Sequence, residues 1–396
     1  MSSRTEACSP VKIAHVTDFY LPRLGGIEVH VHDLAARQRA AGHEVHVLTA
    51  SPGRVDDGES DAMSAAQVLR VTEGLRRPAA LHPAAPLLGA RSLAVGGYDV
   101  VHAHAGVWSP LAFIAGMTAP RRAVPAVVTF HSLLSWASPI YRGGDLVIRW
   151  SHSPVHWTAV SEVATVPLRR LLPPGTQVGV LPNAVDVAAW QVHPTPREPY
   201  DVLAVAVMRL APRKRPLALL RTLRRVHAAL PPHVRLRTVL VGEGPERASL
   251  ERYLRRYGLS SRVSLPGRQT RTQIRDLYRR ADVFLAPAHL ESFGIAALEA
   301  RCAGVPVVAM AHSGISDFVT DGVEGLLVGS DAQMGRALLR LAGNPKLRSG
   351  MAAHNRAVPP AFGWPDALAR TEDAYQRAAQ RIGVELPASS RVEVPA

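Results

Sequence analysis

The feature that most restricts the fold is a rhythm that runs twice along the chain. A short valine-rich run leads into a turn, and the turn leads into a stretch with helical spacing of apolar residues. In the first half the runs are "VKIAHVTDFY" (11–20), "HEVHVLTA" (43–50), "QVLRV" (67–71), "DVVHAHA" (99–105) and "AVPAVVTF" (123–130). In the second they are "DVLAVAV" (201–207), "LRTVLVG" (236–242), "RVSLPG" (262–267), "DVFLAP" (282–287) and "VPVVAM" (305–310). Near-continuous apolar strands separated by helices belong to parallel sheets covered on both faces. A helix is expected from about Ile27 to Ala41, stopped by Gly42, and another from Pro216 with Leu220, Leu223, Val226 and Leu230 as its stripe. Ile274, Leu277, Tyr278 and Ala281 share a third helical face. The expected class is therefore α/β, with two doubly wound domains and a cleft between them.

A length of 396 residues exceeds one ordinary core and supports the division into two. The Pro-containing stretch "HPTPREPY" (193–200) is the candidate linker. Composition, 47% hydrophobic and 20% charged, is that of a folded chain. Cys8 and Cys302 are the only cysteines, too few for a disulfide framework or a closed thiolate metal site. With no apolar leader in "MSSRTEACSP" and no run of eighteen apolar residues, a cytoplasmic protein is expected. The formal charge is +14, and nine Arg or Lys fall between Arg209 and Arg237 without one acid. A solvated arginine-rich face accounts for such a run, and so does attraction to an anionic membrane surface or an acidic substrate. Nucleic acid is not expected, because aromatics make up only 5% and do not interleave with the basic residues.

Ligands of doubly wound sheets bind beyond the carboxyl ends of strands, and the candidate site residues fall there. In "HLESFGIAALEARCAGVPVVA" (289–309), Glu291 follows a strand, a helix is expected to begin at Ser292 to Ile295, and Glu299 lies eight residues on. If 291–299 is largely helical, the carboxylates stand about 12 Å apart along the axis. That span suits two sugars joined through a diphosphate, with helix amides between the acids and Gly294 keeping the backbone approachable. Spacing alone leaves a plainer reading open, an acid at a helix entrance and another on a solvated face. "MRLAPRKRP" places Arg209 and Lys214 just after a strand, where cations could meet a diphosphate. "LPRLGGIEVHV" places Gly25 and Gly26 between the first strand and the first helix. No GxGxxG follows that strand, so a nicotinamide cofactor is not expected.

The segment 289–309, together with Gly25–Gly26, "RLAPRK", "VGEGPER", "LPNAVD" (181–186) and "SGISDFVTDGVEGLLV" (313–328), resembles the retaining glycosyltransferases of family 4, which adopt the GT-B fold. The likeness runs from about residue 11 to residue 380. It implies two Rossmann-like domains facing each other across a deep cleft: an acceptor-side domain at 1–195, a donor-binding domain at 196–360, a closing helix at 361–383 that returns to the first domain, and a tail at 384–396. It further implies that Glu299 holds the ribose hydroxyls and Glu291 faces the donor sugar. Ser292, Phe293, Gly294 and Ile295 would line the same pocket, while Arg209 and Lys214 neutralise the diphosphate with Gly25 and Gly26 nearby. His131 in "VVTFHSLLS" matches a family histidine near the donor sugar, His104 is a weaker candidate on the acceptor side, and Gly242, Gly267 and Arg268 approach the base. The family's Asn-Gly-Val-Asp is Asn183-Ala184-Val185-Asp186 here, and alanine tolerates a left-handed backbone poorly.

The implied reaction passes a hexose from a nucleoside-diphosphate sugar, UDP- or GDP-linked, to a glycan, lipid-linked or small-molecule hydroxyl. The anomeric configuration is kept, and neither metal nor other cofactor is called for. An epimerase or phosphorylase of the same fold, or a non-catalytic nucleotide-sugar binding protein, remains open on the sequence alone.

Overall fold

The computed structural model describes residues 10–23, 25–53, 66–75, 79–196 and 198–387. Cys8 and the end of the tail, 388–396, lie outside them. Contacts divide the chain into two units, one running to Ala184 and resuming at Trp364, the other Val185–Gly363.

The described strands of the first unit are β1 (Lys12–Thr17), β2 (Glu44–Thr49), β3 (Gln67–Arg70), β4 (Val100–Ala105), β5 (Ala126–Phe130), β6 (His156–Ala159) and β7 (Gly179–Val180). They form one parallel sheet in the order β3-β2-β1-β4-β5-β6-β7. Its helices are α1 (Gly26–Ala40), α2 (Ala85–Gly96), α3 (Pro110–Thr118), α4 (Ser138–Ile148) and α5 (Glu162–Arg169), with Trp364–Ile382 returning as α13 in chain order. One sheet face carries an aromatic cluster in which Trp150 and Trp157 lie edge-on at 5.3 Å, with Phe130 and Tyr141 against them. Gly116 lets α3 lie flat on this face, since a Cβ there would strike Val128. α13 covers the other face through Ala367, Thr371, Ala374, Tyr375 and Ala378, all buried and all at helical spacing. Small residues bring this helix close to the sheet, and Tyr375 is its one large polar insertion.

The second unit begins with α6 (Val187–Trp190). Its strands are β8 (Asp201–Val207), β9 (Arg235–Val241), β10 (Val263–Ser264), β11 (Val283–Ala286), β12 (Val307–Met310) and β13 (Gly325–Val328). They pair in parallel in the order β10-β9-β8-β11-β12-β13. Its remaining helices are α7 (Pro216–Ala229), α8 (Arg247–Arg256), α9 (Arg271–Tyr278), α10 (Ile295–Cys302), α11 (Asp331–Gly343) and α12 (Pro345–Ala357). Start signals are in place: Thr270 and Gln273 make a reciprocal capping box on α9, Ser330 caps α11, and Asn344 caps α12.

The division falls between Ala184 and Val185, earlier than the Pro-containing stretch picked from the sequence. Residues 187–195 pack on α9 instead of spanning a gap. Trp190 lies 5.8 Å from the Tyr278 ring, Arg275 donates to the Ala189 carbonyl at 3.1 Å, and Thr195 N–H donates to Arg279 O at 2.7 Å. Burial of the indole outweighs the local turn chemistry that made 193–200 look like a linker. Ala184 has no positive φ, so the turn that glycine serves in the family takes an ordinary backbone here.

Candidate functional site

In the second unit the loops leaving β8 and β11 are neighbours, because those strands are adjacent. The β8 loop contains Arg209 and a single turn of 3-10 helix, Pro212–Lys214, and its three closing cations take different roles. Arg213 is exposed. Lys214 Nζ donates to Glu291 Oε2 at 2.5 Å, with only 24% and 18% of the two side chains exposed. Arg215, held at φ +59°, makes two 2.8 Å bonds to the Asp331 carboxylate and one of 3.1 Å to Pro287 O. The guanidinium thus ties the β8 loop to the β11 loop, and the ammonium meets the acid between them. Arg209 is exposed at the start of the same loop.

Residues 291–294 are not helical. α10 starts at Ile295, and Gly294 precedes it at φ +94°, where a Cβ would collide with Ile315. The premise of a largely helical 291–299, and with it the 12 Å axial spacing, is therefore corrected. A left-handed glycine turns the chain just ahead of the helix, so Glu291 sits in the turn and Glu299 in the helix's second turn. The turn is clamped from the far side: Gly314 N–H donates to Glu291 O at 2.9 Å, and a Cβ on Gly314 would strike the Ser292 carbonyl. Ser292 and Phe293 are buried, the ring packing 5.4 Å from Phe318 and 5.7 Å from Phe362. Glu299 lies near Tyr278 and Cys302. Burial first, then the charge of Glu299, pushes the phenol well above its ordinary range, and burial pushes the thiol up to about 12.

Backbone crossings complete this rim. Gly242 has φ +134°, its N–H donates to Gly267 O at 2.9 Å, and a Cβ would meet the Met208 carbonyl. Leu210 N–H donates to Glu243 O at 2.8 Å, so the loops after β8 and β9 are laced together. Arg268 follows Gly267 on the same edge. Arg209, Lys214, Gly242, Arg268, Glu291 to Ile295 and Glu299 thus all belong to carboxyl-end loops of one sheet or to the helix that follows one.

Gly25, Gly26 and His131 lie in the first unit. Gly25 is extended and Gly26 opens α1; a Cβ at Gly25 would collide with the Glu28 carboxylate, which Arg23 approaches at 3.4 Å. His131 follows β5, its N–H donating to Ala105 O at 2.8 Å. Its ring is 5.7 Å from that of His30 on α1, and His30 stacks on Trp364 at the start of α13. His104 is buried and both its nitrogens are engaged, Nδ1 with His131 Nε2 at 3.1 Å and Nε2 with His15 Nδ1 at 2.9 Å. The expectation that it faces an acceptor is corrected: strand alternation points it into the packed face.

Sequence reasoning also missed His15 and His102. They are paired across β1 and β4, and the i, i+2 spacing of His102 and His104 puts all three rings on one sheet face. One ligand atom from each of the three lies within 4.8 Å of the others, a grouping a metal could use. As folded, the ring nitrogens are engaged in hydrogen bonds: His15 Nε2–H donates to Gln38 Oε1 at 2.6 Å, His15 Nδ1 faces His104 Nε2 at 2.9 Å, and His102 bridges Tyr375 and Thr129.

Comparison with known proteins decides the family. Residues 24–189 match glycosyltransferase family 4 and residues 192–358 match glycosyl transferases group 1. A D-inositol 3-phosphate glycosyltransferase of Xylanimonas cellulosilytica is 30% identical over 90% of this chain and 93% of its own length. The chain belongs to glycosyltransferase family 4. It is a retaining glycosyltransferase that uses a nucleotide-sugar donor. A phosphatidylinositol N-acetylglucosaminyltransferase polypeptide of Arabidopsis thaliana is 28% identical across 93% of this chain and 82% of that protein. The GT-B fold is shared with Anabaena HepE, solved with UDP and glucose, at TM-score 0.71 and 19% identity over 94% of this family 4 chain and 99% of that one. Sucrose-phosphate synthase of Thermosynechococcus elongatus gives 0.72 at 20% identity, covering 93% and 99%.

Burial drives the imidazoles of His15 and His131 down to about 4 and about 3, and those of His30, His102 and His104 well below their ordinary range. Their contribution to stability is complete above pH 6.5. It is lost as pH falls toward the folded values, because only the unfolded chain gains protons in that window. Each histidine then costs about 1 kcal/mol between pH 7 and 5.5. Five of the six tryptophans are in the first unit, Trp190 being the exception. The urea midpoint read by tryptophan fluorescence is therefore expected to fall sharply between those pH values. A midpoint that stays level would show that the rings titrate normally.

Proposed function

We propose that the chain transfers a hexose from a UDP- or GDP-linked donor to a hydroxyl of a phosphate-bearing or lipid-linked polyol, without a metal. The observation that carries this reading is the Lys214–Glu291 pair, set where the β8 and β11 loops meet and just before the first turn of α10. A carboxylate accepts hydrogen bonds from sugar hydroxyls, whereas an ammonium with three donors can hold that carboxylate and a diphosphate oxygen together. In this scheme Lys214 and Arg209 take the charge that develops on the departing diphosphate, and the unpaired N–H groups of the first turn of α10 add to it. Preorganised donors of this kind stabilise the transition state more than the ground state. Glu291 orients the sugar, Glu299 takes the ribose hydroxyls, and Gly242 and Arg268 approach the base. The acceptor attacks from the face that the leaving group vacates, which keeps the anomeric configuration. Two similar proteins are named for inositol-containing acceptors, and the surplus of 46 basic over 32 acidic residues suits a phosphorylated or anionic-lipid one.

A thermal-shift panel of UDP, GDP and ADP with matching sugars tests the donor site. One family is expected to raise stability by about 2.7 kcal/mol at a hundredfold excess over its Kd, EDTA leaving the shift unchanged. Glu299→Ala should abolish most of it; an undiminished shift, or one that chelation removes, contradicts the scheme. Donor incubated alone should hydrolyse only slowly, whereas complete conversion to an isomer would mark an epimerase.

We further propose peripheral docking on an anionic membrane through α4, none of whose residues is buried. Leu146 is 88% exposed and Val147 82%, with Arg142 and Arg149 exposed beside them. No helix among the described residues is long and apolar enough to cross a membrane. Sedimentation with vesicles containing anionic lipid should exceed that with neutral vesicles, and Leu146→Glu should erase the difference. Equal sedimentation would remove the proposal.

A further inference from the structure

The polar groups buried between the sheet of the first unit and its helices form one continuous chain of hydrogen bonds. It starts at His131 and runs through His104, His15, Gln38, Tyr375, His102, Thr129 and Thr158 to the carbonyl of Val128. The contacts are 3.1, 2.9, 2.6, 3.1, 3.1, 2.7, 2.7 and 3.1 Å in that order. Every side chain in it is at most 8% exposed. The strands explain the alignment: His15 pairs with His102, His104 with Thr129 and Thr129 with Thr158, so the side chains share one face.

The direction of the chain follows from its far end. A carbonyl can only accept, so Thr158 donates to Val128 O and has no second hydrogen to give. Thr129 must then donate to Thr158, and His102 Nε2–H to Thr129. That leaves His102 Nδ1 as an acceptor for the Tyr375 hydroxyl. The phenol oxygen in turn accepts from the Gln38 amide, whose oxygen accepts from His15 Nε2–H. The same exchange repeats at His104, whose Nε2–H goes to His15 Nδ1, and at His131, whose Nε2–H goes to His104 Nδ1. A neutral imidazole has one donor and one acceptor, so each link dictates the next. The orientation of the Gln38 carboxamide agrees with this order independently of the Val128 end.

We propose that this relay fixes His131 as the Nε2–H tautomer, with His104, His15 and Tyr375 as positioning residues, so that Nδ1 can accept a hydrogen from a bound ligand's hydroxyl and can donate none. His131 Nδ1 and Asn183 Oδ1 are both buried and neither has a partner at hydrogen-bond geometry, although the Asn183 side chain lies close enough to raise the imidazole against the effect of burial. Two acceptors side by side call for a donor, either a ligand hydroxyl or the Asn183 amide turned to present N–H. Burial of the rings, His30 included, keeps them neutral and so keeps the donor–acceptor alternation intact. The alternative runs the other way, with His131 Nδ1–H donating to Asn183 and every bond reversed. It would cost the bond between Thr158 and Val128. Only the ligand contact rests on the proposed function and on the expectation, from the family resemblance, that His131 lies near the donor sugar; the tautomer does not.

Nitrogen-15 NMR of histidine-labelled whole protein at pH 7 tests the relay without any substrate. His15, His102, His104 and His131 should each show protonated Nε2 and unprotonated Nδ1. Thr158→Val, which keeps the shape but removes the anchoring hydroxyl, should give His131 a measurable Nδ1–H population. Should that variant not fold, Tyr375→Phe, which cuts the chain in the middle, should do the same. Nδ1–H or imidazolium at His131 in the unaltered protein would overturn the proposal. So would a tautomer untouched by the substitution, since neighbours other than the relay would then be setting it. Absence of transferase activity in the unaltered protein, with these NMR results intact, would count against the proposed function and leave the relay standing.

Discussion

The proposed donor site depends on one contact, a lysine ammonium reaching a glutamate carboxylate 77 residues further along the chain. Partly exposed ion pairs of this kind add only about 0.2–1 kcal/mol to stability, so its value is positional. Lys214 can reach Glu291 only if the loops after β8 and β11 stand side by side, which the strand order provides. The register is then held by neighbours that do not touch the pair. Arg215 locks the two loops through Asp331 and Pro287, and Gly314 clamps the Glu291 turn from the far side. Close backbone approach at Gly242 and Gly314, and the Ile315 side chain packed on Gly294 at a positive φ, explain why three glycines stand where a methyl group would force the loops apart.

The first unit reaches precision by a different route. Where the second unit uses backbone crossings, the first buries a line of polar side chains, and buried polar groups are tolerated only when satisfied. The relay satisfies nearly all of them and leaves the open position at its His131 end. The same burial that orders these rings makes them an acid liability, since the unfolded chain can take protons that the folded one refuses. Positioning and sensitivity to pH are thus two results of one packing choice.

Much of this was legible in the sequence. Valine-rich runs alternating with helical stripes gave both sheets, because parallel strands buried on two faces have few other patterns available. Glycine and proline marked the starts of α1 and α7. Arg209, Lys214 and Glu291 were expected just after strands and are found there, with Glu299 in the helix that follows. What the sequence hid was non-local. Gly294 in a left-handed turn shortens the helix at its start, a choice made by the Gly314 loop packed against it. Trp190 binds a Pro-containing stretch to α9 although its local composition reads as a linker. His15, Gln38 and Tyr375 are brought together only by the sheet, α1 and the returning helix. The alternation of His102 and His104 was the one readable sign of a shared buried face.

The most direct test of the account is a double-mutant cycle on the transfer reaction with Lys214→Met, Glu291→Gln and the two combined. If the ammonium positions the carboxylate and both act on one developing charge, each single change should lower kcat/KM by about a hundredfold or more. The double variant should then be little worse than the poorer single one, as expected of groups that act as a unit. Losses that multiply would contradict the account, because they would mean that lysine and glutamate work independently and that their contact positions nothing.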